Sequence, residues 1–217
     1  MLKPAIGKPG KIARRVLFLG AHSDDIEIGC GGTILRLLHQ EPNCEIHWKV
    51  FSCTPIRKRE AVRAAELFLA AAKTRKVVLH SYRDSYFPSL YKGLKAEFEK
   101  LKRQFVPDLI LTHYRNDLHQ DHRVIGELTW NTFRHHLILE YEIPKYDGDL
   151  GAPNFFVGLD RETCERKARY ICQSFASQRA KQWFTEDTFL ALQRLRGIES
   201  NSPHGFAEAF YCRKLVL

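Results

Sequence analysis

Short, mostly apolar runs recur along the first two-thirds of the chain, each followed by a segment with the spacing of a helix. The runs cover 15–21, 44–52, 76–82 and 107–114. Apolar runs of this length indicate strands that are buried on both faces, as in parallel sheets. Strands that alternate with helices through short connections predict an α/β fold. We therefore expect a Rossmann-like three-layer sandwich with a mostly parallel sheet in the order 3-2-1-4-5, joined by C-terminal strands.

The segments between the apolar runs carry the helical signal. Residues 57–73 are alanine-rich and place Val62, Ala65, Leu69 and Ala72 at helical spacing. Further helices are predicted at 32–40, 89–105, 122–137, 164–178 and 185–197. Further strands are predicted at 138–143, 154–159 and 205–217.

Composition limits the classes of protein that fit this pattern. The chain has 217 residues, of which 44% are hydrophobic, and this is enough for one domain with a sizeable core. We expect a flexible basic arm at 1–14 and a single domain at 15–217. The net charge of +9 favours anionic partners. No basic stripe with interleaved aromatic residues is present, so the sequence disfavours nucleic-acid binding.

The cysteines and the apolar segments indicate in which cellular compartment the protein is expected. None of the six cysteines forms a C-x-x-C pair, and a core-rich chain does not need a disulfide framework. The N-terminus lacks the apolar segment of a signal peptide, and no run is long enough for a transmembrane helix. We expect reduced thiols and a cytoplasmic protein, and leave open whether it forms a homo-oligomer.

Two polar stretches follow the first and the fourth apolar run. They read "GAHSDDIEIGCGGT" and "THYRNDLHQDHR". In an open doubly wound sheet, ligands bind beyond the carboxyl ends of the strands where the strand order reverses. In the order 3-2-1-4-5, that reversal lies between strands one and four. We therefore expect the two stretches to meet in space.

Several kinds of site fit these residues. Two imidazoles and one carboxylate around a divalent metal form a known catalytic arrangement, which leaves a carboxylate and a histidine for proton transfer. Alternatively, His22 and Asp25 could cap the following helix. The glycines could cradle a phosphate in a non-catalytic binding module, but no G-x-G-x-x-G motif is present. Close packing of the helix on a strand explains these glycines better.

In these two stretches the sequence resembles the PIG-L/LmbE-like family of zinc-dependent de-N-acetylases. The family's first motif is A-H-P-D-D-x-E or A-H-P-D-D-E, and its second is H-x-D-H. Here they correspond to "AHSDDIE" and "HQDH". Weaker similarities to its R-x-x-E-A, S-Q and Y-A-E-A-F segments occur in "RKREAVRAAELFLA", "SFASQ" and "GFAEAF". The resemblance therefore spans nearly the whole chain.

The resemblance implies a metal centre and a general base. By position, His22, Asp25 and His122 match the zinc ligands, with one zinc per chain. Fe(II) is an alternative, because two histidines and a carboxylate also suit that ion. Asp24 matches the general base that activates water. Ser23 replaces the proline of the family motif, a change that removes no ligand.

Further roles follow from the same resemblance. His119 matches the histidine that assists the tetrahedral intermediate, and Asp121 matches the carboxylate that orients it. Arg57 occupies the position of an arginine that lines the substrate pocket in some members. Phe206 replaces the tyrosine of Y-A-E-A-F. None of these departures removes a catalytic position, so an active enzyme is expected. The region 140–205 is expected to shape the pocket, with Tyr146, Asp147, Trp183 and His204 as candidates.

The implied reaction removes the N-acetyl group from an amino sugar and releases acetate. The substrate would be a small N-acetylated sugar of GlcNAc type, in a glycoconjugate, a nucleotide sugar or a glycan precursor. The basic charge fits an anionic substrate. The alternative is a related metal-dependent amidase that acts on a thiol conjugate or another amide.

Overall fold

The computed structural model describes residues 15–215, so the arm expected at 1–14 lies outside the described residues. Its centre is a seven-stranded sheet in the order β3-β2-β1-β4-β5-β7-β6. The strands are β1 (Arg15–Gly20), β2 (Glu45–Val50), β3 (Thr74–Leu79), β4 (Leu109–His113), β5 (Leu137–Tyr141), β6 (Phe155–Leu159) and β7 (Phe206–Cys212). The first five pair in parallel, whereas β7 runs antiparallel to both β5 and β6. The predicted α/β fold and strand order are confirmed.

Helices cover both faces of the sheet. They are α1 (Asp25–Gln40), α2 (Pro55–Phe68), α3 (Tyr91–Gln104), α4 (Gln120–Thr132), α5 (Arg161–Ser174) and α6 (Glu186–Glu199), with short 3-10 helices at Phe87–Leu90 and Ala176–Gln178. Side chains of α1, α2, α5 and α6 pack on one face around Trp48 and Phe210. Those of α3 and α4 pack on the other face around Phe51. The result is the three-layer arrangement that the apolar strands predicted.

Helix α1 begins earlier than the sequence pattern predicted. It starts at Asp25 instead of residue 32, so most of the first polar stretch is helical. The helix bends at Cys30, whose φ of -146° and ψ of 20° are not helical. A Cβ atom at Gly29 would overlap the ring of Tyr141, and one at Gly31 would lie 2.6 Å from the Phe68 ring. The glycines therefore allow close packing, as the sequence suggested.

Two buried charges cap the bend in α1. Glu208 of β7 accepts hydrogen bonds from the backbone N–H groups of Gly32 and Thr33, at 2.8 and 2.6 Å. Lys167 of α5 donates to the carbonyl oxygen of Ile28 at 2.6 Å and to Glu208 at 2.7 Å. The bend frees backbone groups that an unbroken helix would pair internally, and these side chains satisfy them.

Two further observations concern the cysteines and the length of the helices. All six cysteines are free thiols. None of the helices described between residues 15 and 215 has the length and apolar character needed to cross a lipid bilayer.

Candidate active site

The two polar stretches meet beside the neighbouring strands β1 and β4. These strands pair in parallel, so their carboxyl ends open at the same edge of the sheet. His22 follows β1, and Asp25 begins α1. His119 and His122 lie at the start of α4, which follows β4. The His22 ring contacts the rings of both, with centroids 4.8 Å and 5.2 Å apart.

The three predicted metal ligands, His22, Asp25 and His122, lie close together. The Nδ1 atom of His22 lies 3.2 Å from the Nε2 atom of His122. One carboxylate oxygen of Asp25 lies 3.5 Å from that His22 nitrogen, and its other oxygen lies 3.5 Å from that His122 nitrogen. Tetrahedral coordination with bonds of about 2.0–2.2 Å places ligand atoms roughly 3.3–3.6 Å apart. The two 3.5 Å distances belong to different Asp25 oxygens, so the ligand set His22, Asp25 and His122 stays a prediction. Among the described residues, the groups whose ligand atoms all lie within 4.8 Å of one another are His22, His119 and His122; Asp25, His113 and His122; and His22, Asp84 and Asp121. Their imidazoles and carboxylates are donor types that suit zinc or Fe(II).

Each of the two histidines directs its second ring nitrogen at a carboxylate. The Nδ1 atom of His122 lies 3.0 Å from an Asp117 oxygen. The Nε2 atom of His22 lies 3.2 Å from Asp84 and 3.3 Å from Asp121. Such carboxylates fix the orientation of a ligating imidazole and raise its basicity. Neither contact was predicted from the sequence: Asp84 lies outside both motifs, and Asp117 stands within the second polar stretch but was given no role.

The carboxylate of Asp121 has different partners from those expected. Its two oxygens accept the backbone N–H groups of Ser85 and Phe87, at 2.7 and 3.1 Å, and one of them faces His22. Its contact with His119 is made by the backbone, whose N–H group donates to the Nδ1 atom of His119 at 3.2 Å. The backbone of the loop that follows β3 therefore holds this carboxylate, which also faces His22.

His119 is arranged as a neutral hydrogen-bond donor. Because its Nδ1 atom accepts a backbone hydrogen bond, the proton of the neutral ring resides on Nε2. Burial lowers the pKa of His119, and the neighbouring His122 and His22 lower it further. A neutral imidazole with Nε2–H can stabilise a developing oxyanion without carrying a positive charge.

Asp24 and Asp25 differ in their surroundings, although they are adjacent in sequence. Burial alone would raise the pKa of Asp25, but the facing His122 and His113 outweigh it and hold that pKa well below its usual value. Burial raises the pKa of Asp24, and Arg57 opposes the change. Asp24 occupies the N-cap position of α1 but makes no side-chain capping hydrogen bond. Its carboxylate therefore does not cap the helix.

Arg57 contacts Asp24 directly. Its Nη2 atom donates to an Asp24 oxygen at 2.6 Å. Its Nη1 atom lies 3.3 Å from Glu60 and 3.4 Å from the Ser177 hydroxyl. The backbone N–H and hydroxyl of Ser177 in turn donate to the two oxygens of Glu60, at 2.8 and 2.7 Å. The "R-x-x-E" and "S-Q" segments thus form one network that ends on Asp24.

Two other residues support the turn that carries His22. His113 is fully buried, and its Nε2 atom accepts the backbone N–H of Ala21 at 2.9 Å. Burial lowers the pKa of His113 to about 4, so its ring is neutral. Ser23 is buried and lies 3.4 Å from the carbonyl oxygen of Ser52 and 3.3 Å from the sulfur of Cys53. Its hydroxyl thereby ties the turn to the end of β2, which a proline could not do.

Of the four pocket candidates in the C-terminal region, Tyr146 and Trp183 contact each other, whereas Asp147 and His204 are exposed. Tyr146 and Trp183 contact each other edge to face, with ring centroids 6.5 Å apart. Asp147 is exposed and lies 4.0 Å from Lys145. His204 is exposed in the turn before β7, and no described contact links it to the metal-ligand cluster.

Comparison with known proteins gives a family match and several similar folds. The family model PIG-L, described as GlcNAc-PI de-N-acetylase, matches residues 17–133. The N,N'-diacetylchitobiose deacetylase from Pyrococcus horikoshii has a TM-score of 0.66 at 21% identity, covering 96% of this chain and 86% of that one. Teicoplanin deacetylase Orf2 has a TM-score of 0.68 at 13% identity, covering 91% and 97%.

The same fold also occurs in a protein with another activity. GalB, a 4-carboxy-2-hydroxymuconate hydratase from Pseudomonas putida KT2440, has a TM-score of 0.71 at 17% identity, covering 94% of this chain and 98% of that one. At such identities these structures establish the fold, whereas the family model covers more than half of the chain, including both of the stretches rich in histidine and aspartate. The chain therefore belongs to the PIG-L family and is an N-deacetylase hydrolase.

Proposed function

We propose that this protein is a zinc-dependent deacetylase that removes the N-acetyl group from a GlcNAc-type amino sugar and releases acetate. The observation that carries the proposal is that the adjacent Asp25 and Asp24 have different partners: Asp25 faces the histidines and Asp24 faces Arg57. The proposed ligands His22, Asp25 and His122 lie together, with the Nδ1 atom of His22 3.2 Å from the Nε2 atom of His122 and 3.5 Å from an Asp25 oxygen. Asp24 lies beside them with its carboxylate bound only to Arg57 among the described side chains.

A divalent metal at this trio would supply Lewis acidity toward the acetyl carbonyl and lower the pKa of the attacking water. Asp24 is the proposed general base, since its raised pKa brings proton uptake closer to neutral pH. His119 is the proposed hydrogen-bond donor to the oxyanion, through Nε2–H. The proton held by Asp24 is then available to the leaving amine, so one carboxylate can serve both steps.

For the substrate, we propose a small N-acetylated sugar with an anionic group. The net charge of +9 supports this choice through long-range attraction. We further propose a single domain at 15–217 in the cytoplasm, where the six free thiols would remain reduced.

The test is a panel of substrates with enzymatic detection of acetate. N-acetylglucosamine conjugates, including a nucleotide sugar, are compared with N-acyl thiol conjugates and simple amides. Acetate from the sugars alone supports the proposal. Faster cleavage of the thiol conjugates would instead establish the amidase alternative. Metal analysis of protein purified without oxygen decides between zinc and iron.

A further inference from the structure

The connection between β5 and β6 contains a loop, 142–151, whose two ends are held by one buried arginine. The Nε and Nη2 atoms of Arg196, in α6, donate to the two oxygens of Glu142 at 2.7 and 2.6 Å. The same Nη2 atom donates to the carbonyl oxygen of Gly151 at 3.1 Å. Arg196 and Glu142 are both buried. The start and the end of the loop are therefore held together against α6.

Within this loop, two charged side chains are largely buried although the residues between them are exposed. Tyr146, Asp147 and Gly148 are exposed, whereas the side chains of Lys145 and Asp149 are only 10% and 7% exposed. The Nζ atom of Lys145 lies 2.6 and 2.5 Å from the two Asp149 oxygens. Gly148 has a φ of 61°, which lets the chain reverse so that the two side chains meet. We call Lys145 and Asp149 the loop pair.

Both members of the loop pair bind the short segment between β4 and α4. The Nζ atom of Lys145 lies 3.1 Å from one oxygen of Asp117. The other Asp117 oxygen accepts the backbone N–H of His119 at 2.7 Å. Asp149 accepts the backbone N–H of Leu118, also at 2.7 Å. The loop pair therefore holds this segment both through a side chain and through the backbone.

The Asp117 oxygen that binds Lys145 is also the oxygen that faces His122, with the Nδ1 atom of His122 at 3.0 Å. An ionised carboxylate can only accept hydrogen bonds, so the His122 proton lies on Nδ1 and the lone pair lies on Nε2. Nε2 is the atom that faces the other two proposed ligands. Because Lys145 and the His119 backbone each bind one Asp117 oxygen, the carboxylate is kept from rotating away from His122.

The burial of the loop pair indicates a role beyond anchoring the loop. Removing two charges from water costs more than their mutual attraction returns unless further hydrogen bonds complete the site. Here the further bonds go to Asp117 and to the backbone of Leu118. Two apolar side chains could anchor the loop without this cost, but they could bind neither group.

We propose that Lys145 and Asp149 are positioning residues for the two histidines of the α4 start. Lys145 orients His122 through Asp117, and Asp149 fixes the turn that leads into His119. The inference rests on the proposed function for the roles of these histidines, and it adds that the loop between β5 and β6 sets their geometry. An imidazole that is already held in place needs no reorientation during the reaction.

The first experiment measures zinc affinity by competition with a chelating dye. Lys145→Met and Asp149→Ala should each lower the affinity by about tenfold, because His122 and the turn beside it lose their support. Lys145→Arg keeps the positive charge and should lose less affinity than Lys145→Met. Asp147→Ala is the matched control, since Asp147 also lies near Lys145, at 4.0 Å, but has no described contact with the segment before α4. An equal loss in Asp147→Ala, or wild-type affinity in both Lys145→Met and Asp149→Ala, would overturn the inference.

The second experiment separates positioning from a general loss of stability. The visible absorption of the protein loaded with excess Co²⁺ reports the geometry of the ligands, and it should change in Lys145→Met but not in Asp147→Ala. With N-acetylglucosamine, kcat should fall by about tenfold in Lys145→Met and Asp149→Ala, with KM within about twofold of the wild-type value.

The two readouts also distinguish this inference from the proposed function. If the wild-type protein releases no acetate from any sugar, the proposed function is wrong, and zinc affinity and the Co²⁺ spectrum still decide whether the loop pair positions His122. A Co²⁺ spectrum of Lys145→Met identical to that of the wild type would show that Lys145 does not orient this ligand.

Discussion

At the scale of single residues, the catalytic proposal depends on two adjacent aspartates that have different partners. The Asp25 carboxylate faces His22, His113 and His122, whereas the Asp24 carboxylate faces Arg57. Because a helix turns by about 100° per residue, consecutive side chains at its start point in different directions. This divergence lets one carboxylate serve the metal while the next serves the water.

Asp24→Asn should separate these two roles. The amide keeps the size of the side chain but cannot accept a proton, so we expect kcat to fall by about 10²–10⁴-fold with metal content unchanged. Acetate release and metal analysis of the same preparation measure both quantities. His122→Ala is the counterpart, in which metal content itself should fall. A near wild-type rate in Asp24→Asn would rule out Asp24 as the base.

Asp117→Asn tests the orientation of His122. The amide oxygen can still accept the backbone N–H of His119, but the NH₂ group cannot accept a hydrogen bond from the Nδ1–H of His122. We expect metal affinity to fall by about 10- to 100-fold, as measured by competition with a chelating dye. Asp147→Asn, on the neighbouring exposed loop, is the control and should bind metal normally. Equal affinities in the two variants would show that Asp117 does not support the site.

The residues of the two motifs could be predicted from the sequence, but not all of the residues that contact them. His22, Asp25 and His122 stand in motifs whose spacing can be read directly. Asp84 lies on a third loop, and only the fold brings it to His22. The partners of Asp121 depend on the backbone of that same loop, which no pattern of side chains reveals.

At the scale of secondary structure, helix α1 shows where pattern and packing diverge. Glycines lower helix propensity, and the predicted helix started at residue 32, after Gly29 and Gly31. The structure instead uses Gly29 and Gly31 inside the helix, where Tyr141 and Phe68 leave no room for a Cβ atom. Tertiary packing therefore overrides local propensity, and this is also why the bend at Cys30 could not be foreseen.

Gly29→Ala and Gly93→Ala form a matched pair for this interpretation. A Cβ atom at Gly29 would overlap the Tyr141 ring, so we expect a loss of about 1–3 kcal/mol in the free energy of unfolding. At Gly93 in α3, the nearest atom would lie at 3.5 Å, so alanine should stabilise by up to about 1 kcal/mol. Urea denaturation of both variants measures whether each substitution lowers or raises the free energy of unfolding. Stabilisation by Gly29→Ala would contradict the packing argument.

Helix α2 should support catalysis through Glu60. Glu60→Ala removes the carboxylate that holds Arg57 beside Asp24 and leaves Ser177 without its acceptor. We expect kcat to fall by about 10- to 100-fold with metal content retained, because a misplaced Arg57 no longer positions the base. Glu66→Ala, an exposed position of the same helix, is the control. If both variants turn over equally fast, the network has no catalytic role.

At the scale of the whole molecule, the C-terminal third completes a site whose ligands all precede it. The family match ends at residue 133, and every proposed metal ligand lies before that point. Yet α5 and β7 supply Lys167 and Glu208, the buried charges that cap the bend of α1. The helix that presents Asp25 is therefore held by residues far along the chain, and sequence spacing gives no sign of this contact.

Glu208→Ala tests whether the position of α1 depends on these C-terminal residues. The change leaves the buried Lys167 charge without its partner and leaves the N–H groups of Gly32 and Thr33 unpaired. Removal of one partner of a buried ion pair costs about 3–5 kcal/mol in the free energy of unfolding. Urea denaturation measures the loss, and metal affinity should fall with it, because α1 carries a ligand.

The control is an ion pair of equal length on the surface. Arg161 and Glu165 of α5 are 2.7 Å apart, the same separation as Lys167 and Glu208. Their side chains are 75% and 45% exposed, against 4% and 3% for the buried pair. Water screens the exposed pair, so Glu165→Ala should change stability by less than about 0.5 kcal/mol. If Glu165→Ala and Glu208→Ala cost the same, burial is not what makes Glu208 important, and the C-terminal third does not hold α1 in place through this residue.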